Sequence, residues 1–308
     1  MNHLGEIFAL CTACLWVATS LNFEEAGKRI GSLSLNFIRL VFAFFFLGAV
    51  AWAARGMPLP LDAGTDAWTL LSISALFGFL MGDFCLFSAF VLIGARRSLL
   101  VMSLAPPLAA LISIPMLGEI LGSQAWLGIG MTVAGVMLVV AEKQNGASDG
   151  RNVTLGGWLL ALGGSVGQAV GLVYSKMGLN AYSAALGGGD PGVWLAFSAT
   201  QIRVIAGIVC FAVVITIGRR WGNVFKALKY REAMKYTGWG AFFGPFLGVT
   251  GSLLAVQYAE VGVAGAIMST MPVLVIPVVF FLRKERVSLI GIIGACMAVI
   301  GVAVLFLR

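Results

Sequence analysis

The chain has 308 residues, of which 60% are hydrophobic and only 11% charged, and its formal net charge at pH 7 is +7. An ordinary soluble domain has about a quarter charged residues, so this composition excludes a soluble globular protein and indicates an integral membrane protein. The sequence has no phosphate-binding glycine loop and no cluster of metal ligands around His3. We therefore predict no enzyme activity, no ATP-driven pumping and no cofactor.

Apolar segments long enough to cross a hydrocarbon core, which takes about 20 residues, follow one another along the chain. They lie at 4–21, 33–54, 67–91, 96–117, 123–141, 155–176, 193–217, 236–258, 261–282 and 288–307. Continuous apolar runs of this length predict helices, because a barrel strand is shorter and alternates in polarity. The predicted fold class is an all-α integral membrane protein with ten transmembrane helices.

The last five predicted helices repeat the first five. A shift of 166 positions superposes identical residues without a gap, pairing Gly78 with Gly244, Gly82 with Gly248, Met102 with Met268, Pro106 with Pro272, Glu119 with Glu285 and Gly135 with Gly301. The predicted organisation is a repeat over 1–141, a polar connection over 142–154 and a second repeat over 155–308. An odd number of helices per repeat makes the two halves inverted in the membrane, a construction typical of secondary transporters.

Basic residues are concentrated in the loops after the odd-numbered helices, with 15 Lys and Arg there against three on the other side. The 15 are Lys28, Arg29, Arg96, Arg97, Lys143, Arg151, Arg219, Arg220, Lys226, Lys229, Arg231, Lys235, Arg283, Lys284 and Arg286. Basic loops usually face the cytoplasm, which predicts that both termini lie outside. The positive net charge follows from this topology, so no nucleic-acid partner is predicted.

Two related segments carry a family resemblance. The segment 103–119 contains Pro106 and Glu119 and precedes Gly128 and Gly135, and the segment 269–285 precedes Gly294 and Gly301 in the same way. This doubled pattern resembles the EamA family of the drug/metabolite transporter superfamily. The resemblance implies a ten-helix carrier of small organic solutes in a membrane, which we expect to be a bacterial inner membrane, without naming the solute.

The repeated prolines and glutamates also have predicted structural roles. Pro106 and Pro272 fall within apolar spans, where proline removes a backbone hydrogen bond and bends a helix, either as a hinge or as fixed curvature. Glu119 and Glu285 fall at span ends, where charged side chains reach water or headgroups, and are predicted to anchor helix ends. The glycines are predicted to let helices approach closely.

Three charged residues lie deeper in the spans. With a rise of about 1.5 Å per residue, Arg39 and Asp83 lie about 9 and 12 Å from the cytoplasmic side, which predicts either a pair within a transport pathway or a static pair between two helices. Arg203 repeats Arg39, but Val249 stands where Asp83 would repeat. Two alternatives follow for Arg203: binding an anionic group such as a substrate carboxylate, or pairing with Glu6 or Glu260. As the only deep carboxylate in the spans, Asp83 is the candidate for proton coupling, because burial favours the protonated form.

Polar and aromatic residues near these charges complete the predicted substrate site. They are Trp16, Asn36, Gln168, Tyr174 and Gln201. A pocket lined by the first, second, sixth and seventh helices can use such side chains for hydrogen bonding and stacking. The alternative for each one is a contact between neighbouring helices.

The predicted function is that of a secondary carrier that exports a small organic metabolite, such as an amino acid, by alternating access. Proton exchange through Asp83 or facilitated diffusion would drive it. The alternatives are an uptake permease for a similar solute, a lipid-handling membrane protein and a non-transporting membrane subunit. The predicted partners are the solute, membrane lipid and protons, with the chain a monomer or a homodimer.

Overall fold

The computed structural model describes residues 3–93, 98, 101–141, 155–188, 192–271, 273–274 and 289–307. Its helices are α1 (Leu4–Ile30), α2 (Ser32–Arg55), α3 (Thr65–Ala75), α4 (Asp83–Ile93), α5 (Ala105–Leu117), α6 (Ser123–Ala141), α7 (Leu155–Ala185), α8 (Gly192–Ile217), α9 (Trp221–Ala227), α10 (Arg231–Ala241), α11 (Val249–Tyr258), α12 (Val261–Met268) and α13 (Leu289–Phe306), with two π-helical segments, π1 (Leu76–Gly82) and π2 (Phe242–Gly248). In the described part of the chain, short connections join these helices. The fold is that of a multi-pass membrane protein.

Eight helical stretches of the described residues are long and apolar enough to cross a membrane. Helix α5 is apolar but shorter, and only the beginning of the predicted span 261–282 lies within the described residues, as α12. The count of ten helices and the inversion of the second repeat therefore stay predictions. Pro272 and Glu285 lie outside the described residues.

Several helices extend past the predicted spans. Lys28 and Arg29 were assigned to a loop but lie in the last turn of α1, and α7 continues from the predicted end at 176 to Ala185. The predicted ends were wrong because polarity marks where a span leaves the hydrocarbon, whereas a helix stops where its backbone hydrogen bonds stop. Long basic side chains near a helix end can reach water without unwinding it.

Pro106 lies directly after an interruption of the predicted span 96–117, where helical residues at 101–102 are followed by a turn at 103–104. Helix α5 begins at Ala105, which places Pro106 in its first turn. Proline is tolerated there because the backbone N–H groups of the first turn have no partner within the helix. Pro106 therefore starts α5 beside this interruption, and the choice between a hinge and fixed curvature stays a prediction.

Two long helices contain a π-helical segment at the same place in the repeat. The first runs through α3, π1 and α4, and the second through α10, π2 and α11. The segments π1 (Leu76–Gly82) and π2 (Phe242–Gly248) are separated by the 166 positions of the sequence repeat. A π-helical turn is wider than an α-helical turn and is often found at functional sites.

Helices of one half pack mainly on helices of the other. Helix α1 contacts α10, π2 and α11, and α7 makes the corresponding contacts with α3, π1 and α4. Helix α2 packs on α8, α5 on α12 and α6 on α13. The centre of the molecule is therefore formed by both halves, and π1 lies there against α7.

Glycines allow the closest of these approaches, as predicted. At the α6–α13 interface, a Cβ added to Gly135 would collide with the backbone of Ala298 and Gly294, and one on Gly301 would lie 2.5 Å from the backbone N of Thr132. Small residues at this spacing bring two helix backbones into direct contact, which is a common basis of helix association in membranes.

Candidate functional site

A buried polar cluster joins α2, α4 and α7. Arg39 donates a hydrogen bond from Nη2 to Asp83 Oδ2, and Gln168 donates from Nε2 to Asp83 Oδ1 at 3.2 Å. The side chains of Arg39 and Asp83 are only 13% and 14% exposed. The structure thus shows the Arg39–Asp83 pair that the depth of the two residues predicted, and both carboxylate oxygens have a donor.

The π-helical segment positions this cluster. Asp83 is the first residue after π1, and Gln168 Nε2 also donates to the backbone carbonyl of Gly78 within π1, at 3.1 Å. A Cβ on Gly82 would lie 2.9 Å from Gln168 Nε2, and one on Gly167 would lie 2.9 Å from the backbone N of Gly82. The two glycines therefore give α7 room to lay the Gln168 amide across π1.

Arg203, on α8, contacts Phe79 of π1. Its guanidinium carbon is 4.7 Å from the centre of the Phe79 ring, and the residue is only 6% exposed. Among the described residues no carboxylate lies within ion-pair distance of Arg203, and its buried Nε has no hydrogen-bond partner. The predicted alternative of a pair with Glu6 or Glu260 is therefore wrong for this structure, and the anion-binding alternative remains.

The cluster has an excess of positive charge. Arg39 and Arg203 contribute two guanidinium groups, and Asp83 is the acid whose charge acts on both. Arg39 gains a further contact with Phe23, whose ring centre is 5.3 Å from the guanidinium carbon. One uncompensated cation in a membrane span is costly, and such residues usually mark a pathway or a binding site.

Trp16 and Tyr174 flank the two π-helical segments. Trp16 lies against π2, where a Cβ on Gly248 would be 2.7 Å from Trp16 Nε1. Tyr174 stacks on Phe77 of π1, with ring centres 6.3 Å apart and planes 11° from parallel. Trp16 thus occupies at π2 the place that Gln168 occupies at π1, because Gly248 repeats Gly82.

Asn36 and Gln201 make their hydrogen bonds outside the cluster. Asn36 donates to the carbonyl of Ser32, one turn earlier on α2, at 3.0 Å, and its Oδ1 is buried without a partner. Gln201 donates to the carbonyl of Pro58 in the α2–α3 connection at 2.6 Å. The structure gives Gln201 the alternative role of holding a connection, and a substrate contact for Asn36 stays a prediction.

A second polar network was missed by sequence reasoning. Arg55 at the end of α2 pairs with Asp62 and donates to Ser198 Oγ at 2.6 Å and to Tyr182 Oη at 3.3 Å, while Tyr182 donates to Asp62 at 2.7 Å. We call these four residues the Arg55 network. It ties the α2–α3 connection to α7 and α8. The signal in the sequence was a charged pair at 55 and 62, but nothing there indicated that Tyr182, 120 positions later, would join it.

Stability is expected to depend on the charge of Asp62. Burial favours the protonated form, but hydrogen bonds from Tyr182 and Arg55 outweigh it and hold the pKa of Asp62 below its ordinary value of 3.8. Because the folded state binds this proton less tightly than the unfolded chain, the stabilisation is complete above pH 3.8 and is lost as pH falls through the folded-state value. Asp62→Asn is expected to lower the free energy of unfolding by about 1–3 kcal/mol near neutral pH and by less in acid.

Thermal unfolding of the purified protein in detergent micelles between pH 3 and pH 7 would measure this difference. The control is Asp66→Asn, which changes an exposed aspartate in the first turn of α3. Equal effects of the two substitutions at every pH would show that the Arg55 network contributes nothing through its charge.

Glu119 anchors helix ends, in the role predicted for it. It accepts hydrogen bonds from Lys176 Nζ at 2.5 Å and from the backbone N–H of Val261, the first residue of α12, at 2.9 Å. A carboxylate is favourable at a helix N-terminus because the first N–H groups have no partner in the helix. Lys176, which also donates to the carbonyl of Ala259, lies inside α7 and not in a loop as predicted.

Comparisons with known proteins agree with the repeat. The model of a family described as the EamA-like transporter family matches residues 3–141 and again 155–307. No curated protein sequence matches the chain. A solved structure titled only "Crystal structure of protein" is similar over 100% of this chain and 98% of that chain, with a TM-score of 0.74 and 18% sequence identity. At this identity the likeness shows the fold alone.

Proposed function

The chain belongs to the EamA-like transporter family, and from this premise we propose that it is a secondary carrier that exports a small organic metabolite by alternating access. The two repeats, 1–141 and 155–308, are inverted in this proposal and rock against each other around a central site. The basic loops lie in the cytoplasm, and the membrane is a bacterial inner membrane. The alternative is uptake of a similar solute by the same alternating access.

The observation that carries the proposal is the charged cluster between the halves. Asp83 and Arg39 belong to the first repeat, and Gln168 and Arg203 to the second. Ionisable residues inside membrane spans are expensive to bury and usually serve a substrate or ion pathway. A cluster that both halves build can change its contacts when the halves move, which is what alternating access requires.

Asp83 is the proposed proton-coupling group. Its carboxylate already binds two donors, so taking up a proton weakens the Arg39 contact and changes the attraction between α2 and α4. Trp16, Tyr174 and Asn36 are the proposed further contacts of the substrate, and Gln201 supports the site through the α2–α3 connection. If Asp83 does not exchange protons during transport, the carrier works by facilitated diffusion.

Flux in proteoliposomes tests the proposal. Labelled amino acids, hydroxy acids and related metabolites are offered with and without a pH gradient to the native chain, to Asp83→Asn and to the double variant Arg39→Gln/Asp83→Asn. We expect solute flux to follow the gradient in the native chain and to be independent of it in both variants. The double variant is the matched control, because it removes the coupling carboxylate without adding to the net charge of the site.

Each result discriminates between functions. Flux that ignores the gradient in every chain would support facilitated diffusion and contradict coupling through Asp83. No flux of any solute, together with transfer of a labelled lipid between the leaflets of the vesicle, would contradict the proposal and favour a lipid-handling protein. No flux of either kind would favour a non-transporting subunit.

A further inference from the structure

Arg203 is a buried cation that lacks an anion. Only 6% of the residue is exposed, and its Nε has no hydrogen-bond partner. Its guanidinium carbon lies 4.7 Å from the centre of the Phe79 ring. An aromatic face attracts a cation, but it cannot replace the two parallel hydrogen bonds that a guanidinium group donates to a carboxylate.

Asp83 does not supply that anion. Its Oδ2 accepts from Arg39 and its Oδ1 from Gln168. Charge on Asp83 acts on Arg203 through space, yet no ion pair within 4 Å joins them in the described part of the chain. The cluster therefore presents one free guanidinium and no free carboxylate.

The charges of these residues distinguish between solutes that all carry a carboxylate. An amino acid offers a carboxylate, which Arg203 can bind, together with an ammonium group, which needs a negative partner when it leaves water. The site has an excess of one positive charge, so the ammonium group would lose its hydration beside cations. A hydroxy acid offers the same carboxylate and a neutral hydroxyl group instead.

We propose that Arg203 binds the carboxylate of the solute, and that the site selects organic monocarboxylates over the amino acids with the same side chain. The inference rests on the proposed transport function and deepens it by naming the substrate class. Arg39, Asp83 and Gln168 bind one another within the site, and Arg203 is its anion-binding residue. Cationic amines are excluded by the same excess of positive charge.

Ligand binding to the purified protein tests the inference independently of flux. The probes are matched pairs that differ only in the amino group: lactate against alanine, and 2-hydroxy-4-methylpentanoate against leucine, with 3-methylbutylamine as the cation. Binding is measured by calorimetry and by the rise in unfolding temperature in detergent. We expect each hydroxy acid to bind at least about tenfold more tightly than its amino acid, and the amine not to bind.

Variants of Arg203 locate the effect. Arg203→Gln is expected to weaken binding of the hydroxy acid by about 10- to 100-fold, the range for loss of a charged hydrogen-bonding group. Arg203→Lys keeps the positive charge without the planar guanidinium group, and it is expected to weaken binding of the hydroxy acid less. Arg220→Gln is the control, because it changes an exposed arginine just beyond α8. Since Arg203→Gln removes an uncompensated buried charge, we expect it to fold at least as well as the native chain.

The outcomes separate this inference from the proposed function. Suppose that the hydroxy acids bind more tightly than the amino acids, that Arg203→Gln weakens this binding, and that no flux occurs in proteoliposomes. This result would support the anion site and contradict transport. Flux with amino acids bound as tightly as hydroxy acids, or more tightly, would support transport and overturn the inference. Binding of the hydroxy acid that Arg203→Gln leaves unchanged would also overturn it, because the carboxylate would then lie elsewhere.

Discussion

Asp83→Asn is expected to be strongly destabilising, because it leaves Arg39 and Arg203 as two cations without a counter-charge. The expected loss is about 3 kcal/mol in the free energy of unfolding, the lower end of the range for breaking a buried ion pair. The lower end applies because the side chains of Arg39 and Asp83 are not fully buried and remain 13% and 14% exposed. Reversible unfolding of the purified protein by denaturant in mixed micelles would measure the change.

The double variant Arg39→Gln/Asp83→Asn is expected to recover at least half of this loss. It removes both partners, so that Arg203 is again the one excess charge and no additional cation is buried. Asp66→Asn, at an exposed position, serves as the control for the chemical change and should have little effect. Three variants of equal stability would contradict the role given to the pair, and a double variant no more stable than Asp83→Asn would show that excess charge is not the cause.

The second large effect is expected at the α6–α13 interface. Gly135→Leu places a side chain where even a Cβ would collide with the backbone of Ala298 and would lie 2.6 Å from the carbonyl oxygen of Gly294. A clash with backbone cannot be relieved by changing a rotamer, so the helices must separate. We expect a loss of at least about 3 kcal/mol, the upper end of the usual cost of overpacking, and little folded protein after purification.

Gly130→Leu is the matched control on the same helix. A Cβ on Gly130 meets no atom within 4 Å, so the added side chain points into open space. We expect Gly130→Leu to purify as a single folded species with a stability within about 0.5 kcal/mol of the native chain. The measurement is the yield of monodisperse protein in size-exclusion chromatography, followed by thermal unfolding. Similar behaviour of the two variants would contradict direct backbone contact between α6 and α13.

The sequence predicts those features that depend on helix geometry alone. The pairing of Arg39 with Asp83 followed from counting residues from the ends of two spans, because the rise per residue of a helix is constant. Close approach at Gly135 and Gly301 followed from small residues repeated at one face of a helix. The membrane-spanning fold and the doubled family pattern are likewise visible in composition and spacing.

Features that depend on how side chains reach between helices were not predictable in this way. Gln168 was predicted to bind substrate, and its amide binds the Gly78 carbonyl in π1 and the Asp83 carboxylate at the start of α4. The segment π1 itself has no sequence signature that separates it from an α-helix. The Arg55 network joins residues that are 143 positions apart at its widest. The turn at 103–104 that precedes α5 was not predicted, because apolar composition continues through it.

The placement of π1 and π2 carries information about the origin of the chain. Both wide turns stand at corresponding positions, Leu76–Gly82 and Phe242–Gly248, and each ends in a glycine that contacts the long helix of the other half. Two independent acquisitions at one position are less economical than one, so we infer that the repeat unit had this turn before it was duplicated. Asp83 and Val249 follow the two turns and differ, which dates the difference in charge after the duplication. The wide turn is therefore older than the difference in charge between the two halves.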